Sequence, residues 1–144
     1  MSSTIYFDTS ALAKWYLNER HSQEVECFLQ QHGPVSISDL TVVEMRCLLA
    51  RRRRDGNISL LLETEIYATF QEDIRRRFLI CHPFPPELAA GAANIITLLG
   101  NIPVRSLDAM HLVMAKETGA GILVTADRIM GDAARLLEFD VIMF

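Results

Sequence analysis

Lysine is almost missing from this chain. Of its 14 basic residues only Lys14 and Lys116 are lysines, and the other 12 are arginines. Contacts to anions therefore fall to guanidinium groups, whose planar fork suits bidentate binding of phosphate oxygens. Cysteine is scarce too. Cys27, Cys47 and Cys81 are odd in number and far apart, which argues against a disulfide framework and against a zinc site. Their apolar neighbours lead us to expect buried, reduced thiols. No apolar run is long enough to span a bilayer; the most apolar stretch, Leu88–Leu99, is short and contains Asn94. The opening Met1-Ser2-Ser3-Thr4 carries no basic segment followed by an apolar one, so no secretory leader is expected and the cytoplasm is the expected compartment. Internal repeats, low-complexity tracts and linkers are absent from the sequence. One domain spanning residues 1–144 is expected.

Half of the 144 residues are apolar and 22% are charged, a balance that fits a compact core and excludes a disordered chain. The net charge is −4, from 14 basic and 18 acidic residues. Setting aside four carboxylates, Asp8, Glu44, Asp108 and Asp127, leaves a neutral scaffold. An acidic total is thus a poor argument against a nucleic-acid substrate.

Short β-type runs recur at Thr4–Phe7, Val35–Ser38, Phe78–Cys81, Ile122–Val124 and Val141–Met143. Helical stretches separate them: Ala11–Leu17, Ser22–Gln31, Asp39–Arg54, Ser59–Arg77, Pro86–Leu99, Leu107–Glu117 and Arg128–Glu138. The alternation predicts an α/β domain of three layers around a mostly parallel, five-stranded sheet. Ligands of such sheets bind at the carboxyl ends of the strands. Asp8 ends the first strand, Asp127 follows the fourth, Glu44 lies early in the helix after the second, and Asp108 opens a helix. All four tend toward one edge.

Isolated buried carboxylates need a partner, and no matching set of Lys or Arg stands beside these. A hard divalent cation, Mg²⁺ or Mn²⁺, is the natural shared one. Asp8 has a competing role as a helix cap, but Ser10 is better placed to cap Ala11 onward. Glu44 shares a helical face with Leu40, Val43, Cys47 and Leu48 by spacing. Asp108 can serve the helix dipole with Ser106 as cap, and Asp127 can cap Arg128 onward; their weight as ligands comes from Asp8 and Glu44. His111, three residues after Asp108, reads as a half-buried histidine making an ordinary hydrogen bond. Ser10 and Thr125 are placed to hold a carboxylate or a ligand water. The runs Arg51–Arg54 and Arg75–Arg77 read as solvated, dipole-matched helix ends, whereas Arg105 and Arg128 neighbour site carboxylates and are the better phosphate contacts.

The segments Phe7-Asp8-Thr9-Ser10-Ala11-Leu12, Val42-Val43-Glu44-Met45-Arg46, Arg105-Ser106-Leu107-Asp108-Ala109-Met110-His111-Leu112 and Val124-Thr125-Ala126-Asp127-Arg128 stand in the order and spacing of PIN domains. The chain resembles that family, and within it the VapC ribonuclease toxins of bacterial toxin–antitoxin modules. The resemblance covers nearly the whole chain. It implies a Rossmann-like α/β/α sandwich and Mg²⁺- or Mn²⁺-dependent cleavage of RNA, with the acidic quartet at Asp8, Glu44, Asp108 and Asp127. It also implies dimerisation and an antitoxin protein whose tail covers the site. The Arg runs belong to no motif.

The expected chemistry is hydrolysis by metal-activated water, with no protein nucleophile. Two rivals remain open at this point. An aspartyl-phosphate phosphotransferase would use Asp8, but the acid-type enzymes need a second Asp where Ser10 stands. A non-catalytic PIN-like module would bind RNA or a partner only. The helix pair around Asp55-Gly56-Asn57 carries Leu48, Leu49, Ile58, Leu60, Leu61 and Leu62, more apolar surface than one hairpin readily buries, and a dimer contact is expected there.

Overall fold

The computed structural model describes residues 4–144; residues 1–3, on which the absence of a leader was read, lie outside it. The strands are β1 (Thr4–Phe7), β2 (Val35–Ser38), β3 (Leu79–His82), β4 (Ala120–Thr125) and β5 (Asp140–Met143). The helices are α1 (Thr9–Tyr16), α2 (Ser22–His32), α3 (Asp39–Arg54), α4 (Leu60–Arg75), α5 (Leu88–Leu99), α6 (Ser106–Glu117) and α7 (Arg128–Leu136). All strand pairs are parallel, in the order β3-β2-β1-β4-β5. From β1 the chain builds outward through β2 to β3, then crosses back to add β4 and β5 on the other side. The direction of winding reverses between β1 and β4, which opens a crevice at their carboxyl ends.

Alternation along the strands splits the core into two layers. Ile5, Phe7, Val35, Ile37, Leu79 and Val124 face α1 to α4, with Leu12, Met45, Leu49 and Phe70 packed over them. Tyr6 and Leu123 face the opposite layer, α5 to α7, where Leu112, Met114 and Met130 are buried. The result is a three-layer α/β/α sandwich on a five-stranded parallel sheet.

The α3–α4 hairpin turns at Gly56, which needs its left-handed φ of 79°. It is locked by Glu63, whose side chain is 1% exposed and held by Arg46 at 3.0 Å and by Arg53. Arg52 pairs with Glu19 at 3.0 Å, and Arg75 and Arg76 both grip Glu72. Arg52 and Arg53 are therefore structural clamps, whereas Arg75 and Arg76, 71% and 60% exposed, pair with Glu72 within one solvated helix end.

Cys27 and Cys47 are exposed and Cys81 is half-buried. In α2 the buried stripe is Val25 and Leu29, one turn apart, and Cys27 points about 200° away from Val25. In α3 the buried face is Thr41, Met45 and Leu49, not Leu40, Val43, Cys47 and Leu48; Val43 is 71% exposed. That stripe opens with a polar residue, Thr41, whose hydroxyl accepts from Ser38 N at 3.2 Å, and this hid it from an apolar periodicity. Finally, α1 begins at Thr9, two residues early, so Asp8 and not Ser10 is its N-cap. Of the six hairpin residues expected at the surface, Leu49 is fully buried and Leu60, Leu61 and Leu62 are exposed.

Candidate active site

Asp8 sits where β1 ends against β4, its backbone N donating to Val124 O at 3.0 Å. The residue is 4% exposed. Oδ1 accepts from Ser10 Oγ at 2.7 Å and from Ala11 N at 3.1 Å. Oδ2 accepts from Thr125 Oγ1 at 2.5 Å. Burial pushes the Asp8 carboxyl above its ordinary range, against the pull of the Thr125 and Ser10 hydroxyls, the His111 ring and Ala11 N. Ser10 Oγ also accepts from Ala126 N at 2.9 Å, and Thr125 Oγ1 from Asp127 N at 2.9 Å. Two hydroxyls thus clasp the start of α1 to the β4–α7 turn and fix Asp8 between them.

Asp127 is the N-cap of α7, with both cap bonds on Oδ1, from Ile129 N at 2.8 Å and Met130 N at 3.2 Å. Asp108 accepts from Arg105 N through Oδ2 at 3.0 Å, and the cap of α6 is Arg105 rather than Ser106. Each keeps one carboxylate oxygen without a protein donor among the described residues. Glu44, half-buried on α3, accepts from Thr9 Oγ1 at 2.7 Å and meets His111 Nε2, both through Oε1. Burial would raise its pKa, but the His111 ring and the Thr9 hydroxyl outweigh it and hold the carboxyl below its ordinary value.

Glu44, Asp108 and Asp127 line one cleft of about 410 Å³, with Pro103, Arg105, Ser106, Leu107 and Ile129. Asp8 does not line it but is joined to it through Thr125. Arg105 is on the wall; Arg128 is exposed and is not. A cleft of similar volume, about 430 Å³, is bounded by Tyr16, Leu17 and Ile66; its one carboxylate, Glu19, is already paired with Arg52. Of the two, the acidic cleft gathers three carboxylates, none of them paired with Lys or Arg among the described residues.

The PIN-domain model matches residues 5–136. The chain belongs to the PIN-domain family. No curated protein matches its sequence, but solved structures match its fold. VapC20 of Mycobacterium tuberculosis superposes with a TM-score of 0.72 at 16% identity, over 90% of this chain and 95% of that one. FitAcB of Neisseria gonorrhoeae gives 0.67 at 20% identity, over 96% of each chain. VapBC2 of Rickettsia felis gives 0.68 at 13% identity, over 98% of this chain and 99% of that one.

PIN domains are generally metal-dependent, and the donors here suit a hard divalent ion in kind, being carboxylate and hydroxyl oxygens without a thiol. Among the ion pairs of the described residues none involves Asp8, Asp108 or Asp127, so their charges are left uncompensated by Lys or Arg. As the side chains stand, no three acidic, histidine or cysteine groups among the described residues converge tightly enough to hold one ion. The residues fit such an ion in chemistry and in sharing a crevice, and closing on it requires side-chain rotation.

Sequence reasoning passed over Thr9, Tyr6 and Ser38, and read His111 as half-buried. The ring is 2% exposed, with Nδ1 2.7 Å from Tyr6 Oη, which in turn donates to Ser38 Oγ at 2.9 Å. A signal was available: a tyrosine in the middle of a buried strand needs a partner for its hydroxyl.

Proposed function

We propose that this chain is a Mg²⁺- or Mn²⁺-dependent endoribonuclease, a single nuclease domain over residues 1–144, acting in the cytoplasm as the toxin of a toxin–antitoxin pair. One observation carries the reading: three carboxylates, Glu44, Asp108 and Asp127, share a cleft at the β1–β4 crevice with Arg105, linked through Thr125 to the buried Asp8. Asp8, Glu44, Asp108 and Asp127 would hold the ion. Bound there, it would lower the pKa of a water and offset charge on the phosphoryl and leaving oxygens. Ser10 and Thr125 keep Asp8 oriented. Asp108 and Asp127 would offer the ion the oxygen that makes no helix-cap bond, and so keep their caps. Arg105 binds a substrate phosphate, and a carboxylate not fully engaged with the ion orients the attacking water. Arg128, off the wall, contacts a flanking phosphate.

VapC20 is a toxin that cleaves the sarcin–ricin loop, which supports structured RNA as the substrate class. FitAB and VapBC2 were solved bound to DNA, VapBC2 on a fragment from its promoter; by analogy a cognate antitoxin protein partners this chain. No helix among the described residues is long and apolar enough to cross a membrane.

The test is incubation of the purified chain with ribosomal RNA and with a single-stranded RNA oligonucleotide, in Mg²⁺, Mn²⁺ or EDTA. Cleavage in metal that EDTA abolishes is expected. Cleavage that persists in EDTA would remove the metal from the mechanism. No cleavage with any divalent ion would favour a binding-only PIN module.

A further inference from the structure

We propose that His111 is a positioning residue for Glu44, confining it to one free oxygen. This rests on the reading of the cleft as a metal centre. Glu44 Oε1 is occupied twice, by Thr9 Oγ1 at 2.7 Å and by His111 Nε2. Oε2 is what remains for the cleft that Glu44 lines. A glutamate has three rotatable side-chain bonds, and a half-exposed one samples many rotamers unless something holds it. Here two donors on one oxygen leave little freedom and disfavour two-oxygen binding of an ion.

The histidine is itself immobilised. Both ring nitrogens have partners, and the ring packs edge-on against Tyr6, with centroids 5.8 Å apart at 61°. Tyr6 is anchored in turn on Ser38, the residue that caps α3, the helix carrying Glu44. The chain Ser38–Tyr6–His111–Glu44 therefore runs from the end of β2, at the N-cap of α3, through β1 and α6 to α3 itself. Its purpose follows from the third member. His111 and Asp108 lie three residues apart on α6 and so share a helix face. Fixing Glu44 to His111 fixes it relative to Asp108, although the two carboxylates come from different helices.

An imidazole gives one directed contact from a buried rigid ring. At 2% exposure His111 cannot touch an RNA strand, so it acts through Glu44 and not on the substrate. Hydrogen-bond partners of metal ligands are worth about 10–100-fold in metal affinity.

The experiment measures Mn²⁺ affinity by counting free Mn²⁺ with electron paramagnetic resonance, without RNA and independent of turnover. The proteins are wild type, His111→Leu, His111→Gln and Tyr6→Phe, each also melted without metal. His111→Leu should weaken Mn²⁺ binding about 10–100-fold. His111→Gln, whose amide N–H can replace Nε2, should recover most of it. Tyr6→Phe, which frees the ring without removing it, should lose a smaller amount, about 3–10-fold on the same basis. If wild type binds no Mn²⁺, the metal-centre reading falls and this inference with it. If wild type binds and His111→Leu binds equally well while only its melting temperature drops, the metal centre stands and His111 is a core residue. Should His111→Leu fail to fold, the pair Tyr6→Phe and His111→Gln decides: unchanged affinity in Tyr6→Phe overturns the proposal.

Discussion

Asp8→Asn separates a buried metal ligand from a simple helix cap. Asn caps helices as well as Asp does, so the start of α1 is preserved. The hydrogen bonds also survive the exchange. The amide oxygen takes the Oδ1 position and keeps Ser10 Oγ and Ala11 N. The amide nitrogen takes the Oδ2 position and donates to Thr125 Oγ1. That hydroxyl then turns its own proton to Ser10 Oγ, 3.3 Å away. Only the charge is lost. Burial raises the Asp8 carboxyl above the ordinary 3.8, so this group stabilises the fold fully below pH 3.8, and that contribution is lost as pH rises through the folded value. Each unit of elevation costs the metal-free protein ~1.4 kcal/mol above that pH, or roughly 3–6 °C in melting temperature for a chain of this size. The Asn variant is spared this and should melt above metal-free wild type at neutral pH, with the two converging in acid. Divalent metal reverses the order. An ion at 100 times its Kd stabilises wild type by about 2.7 kcal/mol, and Asp8→Asn should lose most of that gain. The assay is thermal melting of both proteins near pH 4 and pH 7.5, with and without Mn²⁺. If Asp8→Asn melts below metal-free wild type at pH 7.5, the Asp8 charge stabilises the fold and the ligand reading of this residue is wrong.

Glu63→Gln should melt below wild type at pH 7, because it breaks the grip of Arg46 and Arg53 on a buried carboxylate. Although burial works to raise it, the two arginines hold the Glu63 pKa below 4.5; its contribution is present above 4.5 and fades as pH falls through the folded value, so the gap should close in strong acid, and a constant gap would refute the ion-pair account. Arg105→Ala should weaken RNA binding and reduce the salt slope by about 1, and Arg128→Ala, off the cleft wall, by less; salt titrations of RNA affinity that leave both slopes unchanged would return both to solvated surface. Leu60 and Leu61 are 66% and 68% exposed, and a two-fold dimer through α4 is expected to cover them; light scattering should give a dimer that Leu60→Asp with Leu61→Asp converts to monomer, and monomer in wild type at micromolar concentration would contradict it.

The sheet and the helices were legible because alternating and helical periods rarely mislead over whole elements. Boundaries matched or moved by one or two residues, and one such shift mattered: starting α1 at Thr9 made Asp8 its cap. The α3 face was misread because its buried stripe opens with the polar Thr41, and Glu44 was placed on a face that proved half-exposed. The sequence order did bring Glu44, Asp108 and Asp127 to one cleft, since strand ends and helix starts cluster in any parallel sheet. What it did not reveal was the support behind them. Tyr6 and His111 are 105 positions apart, and nothing local in either marks the other. Asp8 and Thr125 are 117 apart, but each stands at a strand end, and that position was readable.

The account turns on an ion in the acidic cleft. Anomalous diffraction from crystals soaked in Mn²⁺ would locate it directly. The account predicts a peak in the cleft bonded at about 2.0–2.2 Å to oxygens of Glu44 and Asp108, with one oxygen of Glu44 engaged and Oε1 still on His111. Soaked crystals with Mn²⁺ bound elsewhere and none in the cleft, from protein that cleaves RNA, would contradict it.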